Sequence, residues 1–188
     1  QRGFGITEPL TPESARRIYD QANERLQGLT ARALMRRFDV RALCTTDDPA
    51  DRLEWHERIS ASGALETKVL PAFRPDRAVN VEKPDFVDYI ANLSQASGVP
   101  ITGWENLTAA LDERMDFFAD HGCRISDHGL ENLWFLPAAE TELDGILKRR
   151  LAGESLTGQE LWQYKSALLC FFARGYAKRD WAMQLHFS

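Results

Sequence analysis

Residues 122–130 read GCRISDHGL. Gly122 closes a helical pattern, and Cys123-Arg124-Ile125-Ser126 has the length and composition of a short strand. That run breaks into Asp127-His128-Gly129 before helical periodicity resumes. The same order recurs on both sides. Upstream, VRALCTT (40–46) reads as a buried strand running into Asp47-Asp48-Pro49, which are expected to cap and start a helix carrying Leu53, His56 and Ile59 and ended by Gly63. TKVLPAF (67–73) reads as another strand, breaking into a loop at Arg74-Pro75-Asp76. Downstream, WAMQLHF (181–187) reads as a further strand with His186 near its tip.

Helices fill the intervals, often in pairs. Thr11-Pro12 reads as N-cap and first position of a helix whose Ala15, Ile18, Tyr19, Ala22 and Leu26 share one face. A short helix follows Thr30 and runs to about Phe38. Between the second and third strands one helix opens at Pro84. Another opens at Thr102 with Glu105, a capping-box spacing, and closes at His121-Gly122. After the third strand come two more, the last with Thr157 and Glu160 as a capping box and an apolar stripe at Leu161, Tyr164, Leu168, Phe171 and Phe172. Strands joined by helical crossovers run parallel and are covered by helices, so the chain is α/β. All four strands end in polar or ionisable residues, and in parallel α/β folds ligands bind at the carboxyl ends of strands.

Composition narrows the function classes. The 188 residues are 44% hydrophobic and 27% charged, as in a globular protein with a real core. A net charge of −5 argues against nucleic acid as a partner. No apolar run approaches the roughly 18 residues of a membrane span. The N-terminal QRGFGITEPL lacks the apolar core of a secretory signal. Cys44, Cys123 and Cys170 are odd in number, widely spaced and set in apolar sequence, which reads as free thiols in a reducing cytoplasm.

Four residues at the strand ends carry candidate chemistry. Arg74, stiffened by Pro75, has the placement to grip a carboxylate through two parallel hydrogen bonds, or else to pair with Asp76 or Asp48. Asp127 and His128 are candidates for acid/base work, ligand orientation or metal binding, although adjacent residues on an extended backbone point to opposite faces. The competing reading is a turn whose carboxylate caps the next helix. His186 reads either as a satisfied core histidine or as a ligand-contacting group. His56, mid-helix beside Trp55, and His121, at a helix C-terminus, read as structural. The chain has no HxH, HExxH, glycine-rich phosphate loop or GxSxG, so the residues of a metal centre are largely missing from it.

The stretches LCTTDDPADRLEWH, KVLPAFRPD, GCRISDHGL and WAMQLHF, in that order, resemble uronate (glucuronate) isomerase, a family of the amidohydrolase superfamily. The resemblance covers nearly the whole chain. It implies part of a distorted (β/α)8 TIM-type barrel, about four parallel strands with paired-helix insertions. Residues 1–188 are then one domain, the central portion of a metal-dependent isomerase. The implied reaction is the aldose–ketose isomerisation of D-glucuronate to D-fructuronate, and of D-galacturonate to D-tagaturonate, through a cis-enediol with a divalent metal, zinc by expectation. The resemblance implies that Arg74 contacts the substrate and that His186 is an active-site residue, and it extends a catalytic role to Asp127 and His128. The implied ligand is a hexuronate, with no nucleic acid and no membrane.

The family's HxH strand, its metal-binding aspartate, its early catalytic tyrosine and its late tryptophan and arginine have no counterpart in these residues. A closed barrel needs eight strands and about 250 residues. Four parallel strands leave open edges that must be covered, paired with another chain or accepted as an aggregation hazard; a homo-oligomer is expected. The chain by itself is expected to show little or no activity. The alternatives are another amidohydrolase-type hydrolysis or decarboxylation on the same scaffold, or a truncated, non-catalytic interaction domain.

Overall fold

The structure, a computed structural model, describes residues 3–133 and 135–187. Along the described chain the elements run α1 (Ala15–Leu26), α2 (Ala31–Arg37), β1 (Ala42–Asp47), α3 (Glu54–Ser62), β2 (Lys68–Phe73), α4 (Asp76–Val79), α5 (Phe86–Ser97), α6 (Trp104–Asp120), β3 (Ile125–Leu130), α7 (Glu140–Leu151), α8 (Gly158–Lys178) and β4 (Ala182–Phe187). The strands form a 4-stranded sheet in the order β1-β2-β3-β4, and each pairing is parallel. The expected α/β class with parallel strands and paired helices is therefore observed. No helix among the described residues is long and apolar enough to cross a membrane.

By contact the chain divides into two compact units, residues 1–43 with 59–68, and residues 44–58 with 69–188. In the first, Thr67 Oγ1 donates to the Val40 carbonyl at 2.7 Å and the Lys68 amide to the Arg41 carbonyl at 3.0 Å. Thr30 caps α2 as its sequence predicts, accepting from the Ala33 amide. Thr11, however, does not start α1. Ser14 Oγ donates to the Pro9 carbonyl at 2.7 Å and accepts from the Thr11 amide at 2.8 Å. These bonds hold residues 11–14 as a turn, and Ser14 takes the N-cap position.

The second unit contains the core. Phe73, at the end of β2, has no solvent exposure. Its ring meets Phe118 of α6 edge-on at 5.1 Å, Phe172 and Tyr176 of α8 at 6.0 and 6.1 Å, and Trp181 at 5.9 Å. Edge-on aromatic pairs contribute about 1 kcal/mol each beyond the area they bury. In the α8 stripe, Tyr164, Leu168 and Phe172 are fully buried, while Leu161 and Phe171 pack against the core from its margin. β1 and β4 alternate exposed and half-buried residues rather than forming the buried runs the sequence suggests. They are the outer strands of the four.

Two further helix starts differ from their sequence signals. Asp48-Pro49 does not begin α3. Asp48 Oδ1 accepts from the Ala50 amide at 2.9 Å and Asp51 Oδ2 from the Asp48 amide at 3.0 Å, which makes a loop that runs to Leu53. At α6 the Thr102–Glu105 pair makes no capping box: the N-cap is Gly103, and Asp144 of α7 accepts from the Trp104 amide at 3.1 Å. A carboxylate from a distant helix has replaced the local cap. The Thr157–Glu160 box at α8 forms as predicted, with bonds of 2.8 and 3.3 Å.

The loop after β1 is pinned by a buried cation. Arg114 of α6 is 4% exposed and donates to the carbonyls of Pro49 (2.7 Å), Asp51 (2.8 Å) and Ala96 (3.2 Å), with its guanidinium over the Phe117 ring. Replacing Arg114 by Ala strips three acceptors of a charged donor and opens a void. We predict a loss of roughly 3 kcal/mol in urea unfolding. A change below about 0.5 kcal/mol would show that the loop does not depend on this side chain.

Candidate functional site

The site is assembled by strand register. In β3 and β4, Asp127 lies opposite Gln184, His128 opposite Leu185 and Gly129 opposite His186. Alternation along each strand then puts Asp127, Gly129 and His186 on one face. On the other side of β3, Phe73 pairs with Ser126, so Arg74, the next residue, arrives beside Asp127. Three strand ends thus deliver Arg74, Asp127 and His186 to one place, as the sequence anticipates.

Asp127 is the hub. Its side chain is 12% exposed, and its Oδ2 accepts from Arg74 Nη1 at 3.4 Å. Its Oδ1 lies 3.3 Å from His186 Nε2, an ion-pair distance without hydrogen-bond alignment. Arg74 also donates from Nε to Asp76 Oδ2 at 2.8 Å. The Asp76 oxygens in turn lie 3.2 and 3.3 Å from the Gly129 amide. Arg74 and His186 keep 39% and 53% of their side-chain surface open. The arrangement therefore presents a cation and an imidazole to solvent above a nearly buried carboxylate. A cavity of about 360 Å³ adjoins it at Gly129 and is lined further by Asn80, Glu82, Trp162 and Lys165.

His128 does not join this group. Its ring is 1% exposed and packs at 5.9 Å from Phe172 and 5.6 Å from Tyr176 of α8, with Nε2 3.1 Å from the Tyr176 hydroxyl. The strand continues through residues 127–130, where the sequence suggests a loop, so Asp127 and His128 face opposite ways. Burial pushes the His128 pKa down to about 4, against the opposing pull of Asp76 and Asp127. The imidazole is neutral and holds the back of β3 against α8.

A second polar knot forms at the end of β1. Thr45 Oγ1 lies 2.7 Å from His56 Nε2 and donates to Asp47 Oδ2 at 2.6 Å. The sequence treats His56 as a helix residue without special role. Its partner is eleven positions away and no local spacing announces the contact. Asp48, the next residue, has its pKa raised to about 6 by burial, which outweighs the Ala50 amide and the Arg77 charge. Asp76 is also missed as a site residue, because the sequence places it in a loop while the structure makes it the first residue of α4.

Comparison with known proteins shows the family of the chain. The whole chain, residues 1–188, matches the family model for glucuronate isomerase. It is 39% identical over 190 residues to the uronate isomerase of Lachnospira eligens, covering all of this chain and 41% of that protein. Among solved structures it superposes on uronate isomerase from Thermotoga maritima with a TM-score of 0.88, at 31% identity, over 99% of this chain and 41% of the other. Glucuronate isomerase from Caulobacter crescentus gives 0.84 at 26% identity, over 98% and 38%. The chain thus spans about two fifths of the length of these relatives.

The buried neutral His128 makes a stability prediction with a definite sign. Its folded pKa lies below the unfolded value of about 6.5, so the unfolded chain takes up the proton first. Its contribution is complete above about pH 6.5 and is lost as pH falls toward about 4. That loss amounts to roughly 3 kcal/mol. Unfolding curves of wild type and His128→Gln are expected to converge by that order between pH 7 and pH 4. Parallel curves across this range would contradict the neutral assignment.

Proposed function

The chain belongs to the glucuronate isomerase family, and from that premise we propose that the whole protein interconverts hexuronates, D-glucuronate with D-fructuronate and D-galacturonate with D-tagaturonate. The observation that carries the site assignment is the Asp127 carboxylate, which holds Arg74 and His186 together at three adjacent strand ends. The match along the full chain favours isomerisation over hydrolysis, decarboxylation or a purely structural module.

The substrate is an anion with a reactive carbonyl at the other end. Arg74 supplies a planar fork suited to the uronate carboxylate, with two parallel charge-assisted bonds that fix both distance and orientation. His186, open to solvent and backed by Asp127, hydrogen-bonds a substrate hydroxyl or carbonyl oxygen and carries a proton to or from it. In the overall reaction the C2 proton leaves, a cis-enediol forms, and a proton returns at C1, so atoms and electrons balance within the sugar. Asp127 acts by holding its two partners together and aligned. His128 supports β3 from behind and touches no substrate.

Family membership implies a divalent metal. Among the described residues no three His, Cys, Asp or Glu side chains converge on one point. Both oxygens of Asp127 already face Arg74 and His186. These residues do not fit a metal centre. The three cysteines are free thiols, which supports a reducing cytoplasmic setting.

The test is steady-state turnover of the complete protein on D-glucuronate and D-galacturonate, with uronolactones and amides as controls. Arg74→Ala is expected to raise KM about 30-fold or more, with a smaller effect on kcat. Arg74→Lys recovers little, because a point charge cannot make the fork. His186→Ala is expected to lower kcat about 100-fold. Turnover of lactones or amides without uronate isomerisation would overturn the reading.

A further inference from the structure

We propose that Asp76 is the positioning residue that aims Arg74 at the substrate carboxylate, an inference that rests on the uronate-binding role given to Arg74. The carboxylate of Asp76 is 22% exposed and bridges two strand ends. Its Oδ2 accepts a hydrogen bond from Arg74 Nε at 2.8 Å, and its two oxygens lie 3.2 and 3.3 Å from the Gly129 amide at the end of β3. The Gly129 amide belongs to a paired strand, so it is a fixed donor and holds the carboxylate in place.

The choice of Nε is what matters. A guanidinium grips a carboxylate either side-on, through Nε and one Nη, or end-on, through both Nη groups. Asp76 occupies Nε and so closes the side-on mode. Nη1 keeps only the long 3.4 Å contact to Asp127, and Nη2 makes no hydrogen bond among the described residues. The free edge is therefore the end-on one.

Gly129 makes the geometry sterically possible. A Cβ on it would lie 3.1 Å from both Arg74 Nη2 and Asp76 Oδ2, tighter than ordinary van der Waals contact. Pro75 between the two side chains limits the backbone freedom of the pair. The competing role for Asp76 is a plain acidic residue in the first turn of α4, complementing its dipole. That role involves no coupling to Arg74.

A double-mutant cycle in the complete protein, assayed on D-glucuronate, separates the two. Asp76→Ala is expected to raise KM about tenfold with kcat changed less than about threefold, and to add little once Arg74 is already Ala. Asp76→Asn keeps an amide oxygen for Arg74 Nε and is expected to fall between wild type and Asp76→Ala. An unchanged KM, or a KM effect of equal size in the Arg74→Ala background, would overturn the proposal. Should Asp76→Ala not fold, Asp76→Asn in both backgrounds separates the two roles in the same way. A readout independent of turnover is the Arg74 Nε–H resonance in arginine-labelled protein. It is expected to be distinct and slow to exchange in wild type, and lost in the Asp76 variant with the larger KM defect. A fast-exchanging wild-type resonance would overturn the positioning role even if isomerisation is observed. A protein that holds Arg74 in this way but does not turn over uronates would instead overturn the functional reading.

Discussion

The parallel pairing of β3 with β4, in register from Ile125 opposite Ala182 to Leu130 opposite Phe187, decides which side chains can meet. Because side chains alternate along a strand, this register commits Asp127 and His186 to one face and His128 to the other. A slip of one residue in β4 would send His186 behind the sheet and bring Leu185 to the site. The register is secured on the far side by packing. Phe172 and Tyr176 of α8 stack at 5.8 Å, Tyr176 meets Trp181 just before β4 at 5.7 Å, and the Tyr176 hydroxyl bonds His128 on β3. The apolar back of the sheet thus fixes the polar front.

On that front the governing physics is the cost of a nearly buried carboxylate. Asp127 needs compensating charge, which Arg74 supplies, and the His186 imidazole lies on its other oxygen; both side chains are themselves partly open to solvent. Removing Asp127 would leave Arg74 anchored only by Asp76 and His186 without its backing. Removing Arg74 would leave the carboxylates of Asp76 and Asp127 without the guanidinium they share. Such a cluster stabilises little by itself. Its value lies in geometry: an arginine and a histidine from different strands are held beside one carboxylate at the carboxyl end of the sheet.

Much of this was legible in the sequence, for a physical reason. Short apolar runs ending in Asp47, Arg74, Asp127 and His186, each followed by helical periodicity, specify parallel strands with polar carboxyl ends. The capping box at Thr157 is local and is kept. The box at Thr102 is overridden by Asp144, forty residues away, which no local pattern encodes. Asp76 was hidden because one short turn, Asp76–Val79, reads as loop. His56 was hidden because its partner Thr45 lies across a loop held by Arg114. His128 was misleading because it neighbours Asp127 in sequence but not in space. Strand alternation separates the two, and the strand extends further than its apolar stretch implies.

The central claim is that Arg74 and His186, drawn together by Asp127, form the surface that receives a hexuronate. A crystal structure of the complete protein with D-glucuronate bound tests it most directly. The account predicts the sugar carboxylate at about 2.8 Å from both Nη groups of Arg74 and a sugar oxygen at about 3 Å from His186 Nε2. A sugar acid bound elsewhere, with Arg74 still paired only to Asp76 and Asp127 and His186 open to solvent, would contradict it.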